Sequence, residues 1–472
     1  MAEAPLRSIR PTDRPSTIRI ASVPDPERII AEAGLAGMAA FAVADATTGE
    51  ILEVHEPDLP LPPASALKAI TAVYALDALG AQHTFTTRLV ATGPVSNGRV
   101  QGDLVLMGGG DPVLGTDDLA EMARRLREAG VQGVTGRFLV WGGALPYVRT
   151  IDAGQPDHVG YSPAVSGLNL NFNRVHFEWR RQNGAYTVTM DARTATHRPA
   201  VSVARMRVVD RSLPVYTYEG GGTDNWTVAR GALGDRCARW LPVRNPTAYA
   251  GDVFRTLARA QGVTLPAAQE VSGQPQGTAL VTHNSPALAV ILRDMLKFST
   301  NLTAEAVGLA ATYARGSRVG QLGASGAMMS AWTRDALGIN ARFVDHSGLG
   351  DASRVTAGQM ARALASLRPD GPLRALLKDI PMTNSNGDRI PNPPVEVVAK
   401  TGTLNFVSAL AGYARTREGR ELSFAIFAAD TATRAGLSQA DRERPQGARG
   451  WNGRAKRMQQ RLLQRWGVVH AS

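Results

Sequence analysis

Three short groups of residues in this chain carry side chains that can perform acyl transfer together. The first is Ser65-Ala66-Leu67-Lys68, which follows Pro60, Pro62 and Pro63 and opens an apolar stretch reaching Leu79. Proline breaks what precedes it, so the spacing predicts a helix from about Ala64 to Leu79, stopped by Gly80. On that helix Ser65 and Lys68, at i and i+3, share a face. A serine hydroxyl is a weak nucleophile until a base stands beside it. An amine becomes that base if desolvation lowers its pKa. Leu61, Ala64, Leu67, Ala69 and Ile70 supply the apolar setting. The helix start also leaves the Ser65 N–H without an intrahelical partner, free to face a developing oxyanion. Among 23 serines and 5 lysines, chance alone gives roughly 0.2 such motifs, so this one by itself is weak.

The second group is Ser299-Thr300-Asn301, between two predicted helices. A hydroxyl and an amide two residues apart on a turn can enter one cleft, the serine relaying a proton and the asparagine bonding a substrate amide. A plain helix N-cap is the competing reading, since Thr303 and Glu305 follow as at a helix start. The third group, Lys400-Thr401-Gly402, closes a strand containing Val395, Val397 and Val398. On a strand Lys400 and Gly402 share a face, and a missing side chain there lets a substrate backbone approach. Lys400 supplies positive charge, and Thr401 and Thr403 offer hydroxyls to a carboxylate.

Lysine is scarce. Of 52 basic residues only Lys68, Lys297, Lys378, Lys400 and Lys456 are lysines; the other 47 are arginines. Arginine cannot lose its proton in a protein, whereas a buried lysine can. Two of the five lysines fall inside the motifs, and Lys297 lies two residues before Ser299.

The elements that must position these groups follow from periodicity. A helix is predicted over 26–36 and a hairpin from Met38 to His55 around Thr48-Gly49. From about 84 to 280 short strands such as Thr87–Ala91, Leu104–Met107 and Arg137–Trp141 alternate with turns. Helices are predicted at Asp117–Ala129 and Tyr249–Ala260, and residues 150–245 are strand-rich. After 280 helices dominate, over 286–297, 302–314, 318–336 and 356–367. Strands Val395–Lys400, Ser408–Thr416 and Glu421–Ala428 and a last helix over 452–466 follow. The expected organisation is an α+β catalytic domain from 1–85 and 279–472, interrupted by a mixed α/β insertion over 86–278 of one or two domains, with 150–245 as a β-rich subdomain.

The ordered set Ser-x-x-Lys, Ser-x-Asn and Lys-Thr-Gly is that of penicillin-binding proteins and class A β-lactamases. The chain resembles the low-molecular-mass class C penicillin-binding proteins, D-alanyl-D-alanine carboxypeptidases and endopeptidases. The resemblance extends to Gly102-Asp103-Leu104 and Gly108-Gly109-Gly110-Asp111-Pro112. It includes Tyr161-Ser162-Pro163 with Ser166, Leu168 and Asn169, and Lys297-Phe298-Ser299-Thr300-Asn301 with Ala304-Glu305. It ends on Asp345-His346-Ser347-Gly348-Leu349, Val355-Thr356 and Lys400-Thr401-Gly402-Thr403-Leu404 before Ala411-Gly412-Tyr413. The 234 positions between Ser65 and Ser299 match this class, with its insertion after the nucleophile helix. The resemblance implies a β-lactamase-like transpeptidase fold: an antiparallel sheet with helices on both sides.

It also implies roles. Ser65 is acylated and Lys68 takes its proton. Ser299 passes a proton to the leaving amine, and Asn301 holds the substrate amide. Lys400, Thr401 and Thr403, with Gly402 between, bind the terminal carboxylate, and the N–H groups of Ser65 and Thr403 form the oxyanion hole. The implied substrates are peptidoglycan stem peptides, with β-lactams as covalent inhibitors and no cofactor. The implied location is the periplasm. The family usually has Gly where His346 stands, and Ser then Asn where Gly350 and Ser353 stand. Pro381 to Pro394 is unlike the usual glycine-rich segment.

Other features point to blander roles. The formal charge of +11 suggests an anionic partner, but no zinc-finger, helix-turn-helix or RNP pattern supports nucleic acid. Eight arginine or lysine residues from Arg442 to Arg465 are expected to be the wet face of the last helix. No histidine pair has metal spacing. His346 is expected as a surface loop residue, and the lone Cys237 as an inert structural thiol. No stretch reaches the length of a membrane span. The first 20 residues, with Arg7, Arg10, Arg14 and Arg19, have no apolar core of a signal peptide. Met1-Ala2-Glu3-Ala4 resembles a mature terminus after a removed export signal. The alternatives are a β-lactamase or esterase of the same fold and a catalytically silent cell-wall binding protein. Class C lactamases carry Tyr where Ser299 stands, and class A enzymes lack the insertion.

Overall fold

A computed structural model of the chain describes residues 23–471. The arginines expected to exclude a signal peptide and the Met1–Ala4 segment lie outside them. Among the described residues no helix is long and apolar enough to cross a membrane.

The sheet that carries the site has six strands in the order Lys378–Asp379, Val395–Leu404, Val407–Thr416, Glu421–Ala429, Met38–Asp45 and Ile51–His55. Every neighbouring pair is antiparallel. Its central strands are buried almost throughout, because helices cover both faces. On one face lie Pro26–Ala33 and Ala448–Val469, packing Ile29, Trp451, Met458, Leu462 and Trp466 against Phe41, Leu410 and Ile426. On the other lie Leu67–Leu79, Leu288–Phe298, Asn301–Ala314, Leu322–Leu337 and Ala357–Ser366. The expected antiparallel sheet with helices on both sides is what forms.

Leu67–Leu79 is the central helix. Its residues from Leu67 to Ala75 are all buried, which is why its sequence is apolar all round rather than striped. It starts later than predicted: Ala64–Ala66 form a 3₁₀ turn before the α-helix begins. Pro60–Leu61, just upstream, pairs with Val355–Thr356 and fixes the approach to that turn. The last helix is longer than expected at both ends, Ala448–Val469. The strand carrying Lys400 continues through the whole Lys-Thr-Gly-Thr run to Leu404, held by the ladder to Val407–Thr416.

Between these parts the chain builds other sheets. Five strands are ordered Ala268–Glu270, Phe138–Trp141, Leu104–Met107, Thr86–Ala91 and Thr278–Asn284. Two three-stranded sheets are built from strands between Arg174 and Pro242. All three share a core with the helices Thr116–Glu128 and Pro246–Ala260, through Leu119, Phe138, Phe177, Trp226 and Phe254. Cys237 lies on a strand of this region and is exposed, which corrects the expectation of a structural thiol. Its neighbours Arg236 and Ala238 are exposed as well, so the whole start of the strand faces solvent.

Candidate active site

The 3₁₀ turn begins with a left-handed residue, Ala64 at φ 45°. That conformation costs a non-glycine residue about 1–3 kcal/mol and persists only where packing imposes it. It turns the chain sharply from the prolines into the helix and leaves the partly exposed Ser65 at the bend. The Ala66 N–H donates to the Pro63 carbonyl at 3.0 Å. The Ser65 N–H, at the start of the turn, precedes any partner within it.

Lys68 is fully buried, and its Nζ has three neighbours. It lies 2.9 Å from Ser65 Oγ, 2.8 Å from Asn301 Oδ1 and 2.6 Å from the Ser347 carbonyl oxygen. The last two can only accept. A neutral amine satisfies both with its two N–H bonds and turns its lone pair to the Ser65 hydroxyl proton. Burial favours that state, pushing the amine down to about 8 while Asp345 and Glu305 pull it up.

Ser299 ends the preceding helix in a left-handed conformation, φ 60° and ψ 37°. Thr300 takes the N-cap position of Asn301–Ala314 without a side-chain cap bond. The tight reversal leaves both Ser299 and Asn301 free to face the cleft, so capping is not their use. Asn301 Nδ2 donates to the Tyr161 carbonyl at 2.9 Å, which fixes its amide with the oxygen toward Lys68.

Lys400, also buried, donates from Nζ to Ser299 Oγ at 3.0 Å and to the Thr401 carbonyl at 2.6 Å. Burial holds it well below the usual lysine range, and Lys68 adds to this by repulsion. A carboxylate bound beside it would favour its charged form. The site thus contains two lysine–serine pairs, Lys68 with Ser65 and Lys400 with Ser299. Thr403 is exposed, Thr401 half-buried and Gly402 buried. The space over Gly402 is not open to a substrate, as its missing side chain suggested. It is filled by Pro63 and Ala66 of the nucleophile turn.

His346 is a correction. It is not on the surface but fully buried, stacked on Tyr74 at 6.1 Å with Nε2 2.7 Å from Ser325 Oγ. Burial pushes its pKa down to about 3, so the ring is neutral, and its two nitrogens face Ser325 Oγ and Met329 Sδ and not Ser65 or Lys68. Lys297 is exposed, its Nζ 5.2 Å from the centre of the Phe298 ring. The site residues that the motifs did not single out are Ser347 and Tyr161, which act through backbone carbonyls, and Glu305. The wider resemblance touched these positions, and Glu305 was otherwise read only as part of a helix start. Among the described residues, no group of three or more His, Cys, Asp or Glu side chains could hold a metal ion.

Comparison with known proteins shows similarity over most of the chain. A D-alanyl-D-alanine carboxypeptidase of Actinomadura sp. (strain R39) is 29% identical over 452 residues, covering 85% of this chain and 80% of the relative. The D-alanyl-D-alanine carboxypeptidase DacB of Haemophilus influenzae is 24% identical over 394 residues, covering 77% and 79%. The fold matches the crystal structure of penicillin binding protein 4 from Haemophilus influenzae with a TM-score of 0.73 at 19% identity, over 95% of this chain and 99% of that one. A second structure of that protein, complexed with a β-lactam, matches with a TM-score of 0.71 at 20% identity, over 86% and 93%. The family model for D-Ala-D-Ala carboxypeptidase 3 (S13) matches residues 27–444, a span containing all three motifs and both lysine–serine pairs; the chain belongs to that family and is a low-molecular-mass penicillin-binding protein.

Proposed function

We propose that Ser65 is the nucleophile of a D-Ala-D-Ala peptidase and Lys68 its general base. The observation that carries this is the Lys68 amine, buried and held 2.9 Å from the Ser65 hydroxyl by two obligate acceptors. Ser65 Oγ attacks the carbonyl carbon of the penultimate D-alanine while its proton passes to Lys68. The N–H groups of Ser65 and Thr403 face the oxyanion. The C–N bond breaks, the leaving amine takes a proton through Ser299, and an ester on Ser65 remains. Water then hydrolyses the ester and restores the hydroxyl. Asn301 holds the substrate amide; Lys400, Thr401 and Thr403 bind the terminal carboxylate, and Gly402 seats the strand beside Ser65.

The substrates are stem peptides of peptidoglycan, placing the protein in the periplasm. A positive chain of +11 suits an anionic wall polymer. β-Lactams acylate Ser65 because they present a similar carbonyl and carboxylate. We read residues 1–85 and 279–472 as the peptidase domain and 86–278 as inserted. Incubation with a peptide ending in D-Ala-D-Ala should release D-alanine, and a cross-linked dimer reports endopeptidase activity. Fast nitrocefin turnover without D-alanine release would instead make it a β-lactamase.

A further inference from the structure

The Ser347 carbonyl that receives Lys68 is held from behind. Glu305 lies one helical turn after Asn301, on the same face of the same helix, and is fully buried. Its Oε1 accepts the Ser347 N–H at 2.9 Å and its Oε2 accepts the His346 N–H at 3.1 Å. Asp345, also buried, accepts the Gly348 N–H at 2.9 Å and the Gly350 N–H at 2.7 Å. The 345–350 loop is therefore wound on two carboxyl groups, and it offers the Ser347 carbonyl to Lys68. Asn301 and Glu305 thus act on Lys68 from one helix, the first by touching it and the second by holding the peptide that touches it.

His346 fixes the other side of this loop. Its carbonyl accepts Thr71 Oγ1 at 2.6 Å, from the helix that carries Lys68. Its ring fits because residue 308, on the helix of Glu305, is glycine; a Cβ there would stand 2.1 Å from the imidazole. The ring carries no charge, so the charges acting on Lys68 are few. Glu305 acts from the Asn301–Ala314 helix, Asp345 from the loop and Lys400 from the sheet. Ser65, from its own turn, and Asn301 add only dipoles.

We propose that Glu305 is a positioning residue of the acylation step: by binding two consecutive N–H groups it aims the Ser347 carbonyl at Lys68 and keeps negative charge behind it, setting where the amine stands and when it releases its proton. Burial and the neighbouring Asp345 push the Glu305 carboxyl up, while its bonds from the Ser347 and His346 N–H groups and the nearby Lys68 hold it down; both of its oxygens accept an N–H, so the loop is built around the carboxylate. Lys68, Glu305 and Asp345 therefore share their protons, and the pH dependence belongs to the three as a unit.

The test is the second-order rate of acylation by a fluorescent penicillin, followed against pH for the full chain and for Glu305→Gln and Glu305→Asp. In Glu305→Gln the loss of negative charge should move the acid limb to lower pH by about one unit. The plateau should fall about tenfold or more, because an amide nitrogen now faces one of the two N–H groups. Glu305→Asp keeps the charge but shortens the reach, so its limb should stay within a few tenths of a unit while the plateau falls. An unmoved limb in folded Glu305→Gln, or an unchanged plateau in Glu305→Asp, would overturn the proposal. The second result decides the matter if the glutamine variant does not fold. This inference rests on Ser65 and Lys68 acting as described. Failure of that reading would appear as no adduct on the unsubstituted protein, whereas failure of the Glu305 role would appear as normal adduct formation with unaltered pH dependence.

Discussion

Gly402 and Pro63 touch backbone to backbone: a Cβ built on Gly402 would stand 2.7 Å from the Pro63 carbonyl oxygen, and 3.0 Å from both Ala64 Cβ and the Ala66 nitrogen. The strand that carries Lys400 and the turn that carries Ser65 are thus one packed unit, although their residues lie at opposite ends of the chain. Lys400 and Ser65 keep their relative position because nothing larger than hydrogen stands between their backbones.

Gly402→Ala should therefore damage catalysis more than folding. The added methyl has backbone on one side and cannot be relieved by a flexible neighbour, so overpacking of about 1–3 kcal/mol is expected. Part of that strain moves the Ser65 turn, and a misplaced nucleophile costs about a hundredfold in rate. Thermal unfolding and D-alanine release measured on the same variant check this. Wild-type activity in a soluble Gly402→Ala protein would show that the contact does not position Ser65.

The Lys68 amine, pushed down to about 8 by burial, sets the direction of the pH response. Protonated, it cannot take the serine proton; deprotonated, it can. The rate constant kcat/KM should rise about tenfold per pH unit below the acid limb and level off above it. A profile already flat near neutrality would mean that the amine is neutral much lower, or that another group is the base.

Lys400 should govern recognition of the terminal carboxylate. Replacing it by alanine removes a charged hydrogen bond of about 2 kcal/mol, or about 30-fold in affinity. The loss should appear chiefly in KM. A substrate whose C-terminus is a carboxamide should react poorly with the native enzyme and show little further loss with Lys400→Ala. Equal losses for both substrates would place Lys400 in proton transfer through Ser299, and not in carboxylate binding.

The His346 ring and Gly308 are a matched pair. Gly308→Ala should destabilise the fold by about 1–3 kcal/mol, since the ring is boxed in by Ser325 and Tyr74. Removing the ring as well, in Gly308→Ala with His346→Gly, should recover part of that loss. A double-mutant cycle in chemical denaturation measures the coupling, and additive losses would contradict direct contact.

Much of this site was legible because it is made of side chains at short, fixed spacing. Ser65 with Lys68, Ser299 with Asn301, and Lys400 with its threonines are local patterns on a turn, a helix end and a strand. The strands near the C-terminus were legible from their valine- and alanine-rich runs, whereas their place in one antiparallel sheet followed only from the family resemblance. Less legible were the partners that act through backbone, since a carbonyl such as that of Ser347 or Tyr161 has no residue-type signature. His346 was misplaced for a related reason. A histidine in a Ser-Gly-rich loop looks exposed unless one knows that Gly308, on a separate helix, leaves room for its ring. The use of Gly402 was misjudged because the turn that fills its space lies more than three hundred residues earlier.

The central claim, that Ser65 is the residue acylated with Lys68 as its base, is tested most directly by intact mass after brief exposure to benzylpenicillin. The account predicts a single adduct of one penicillin mass, located on the peptide containing Ser65. The adduct should be absent from Ser65→Ala and strongly slowed in Lys68→Met, with both variants folded. An adduct that survives Ser65→Ala, or no adduct on the folded native protein, would contradict it.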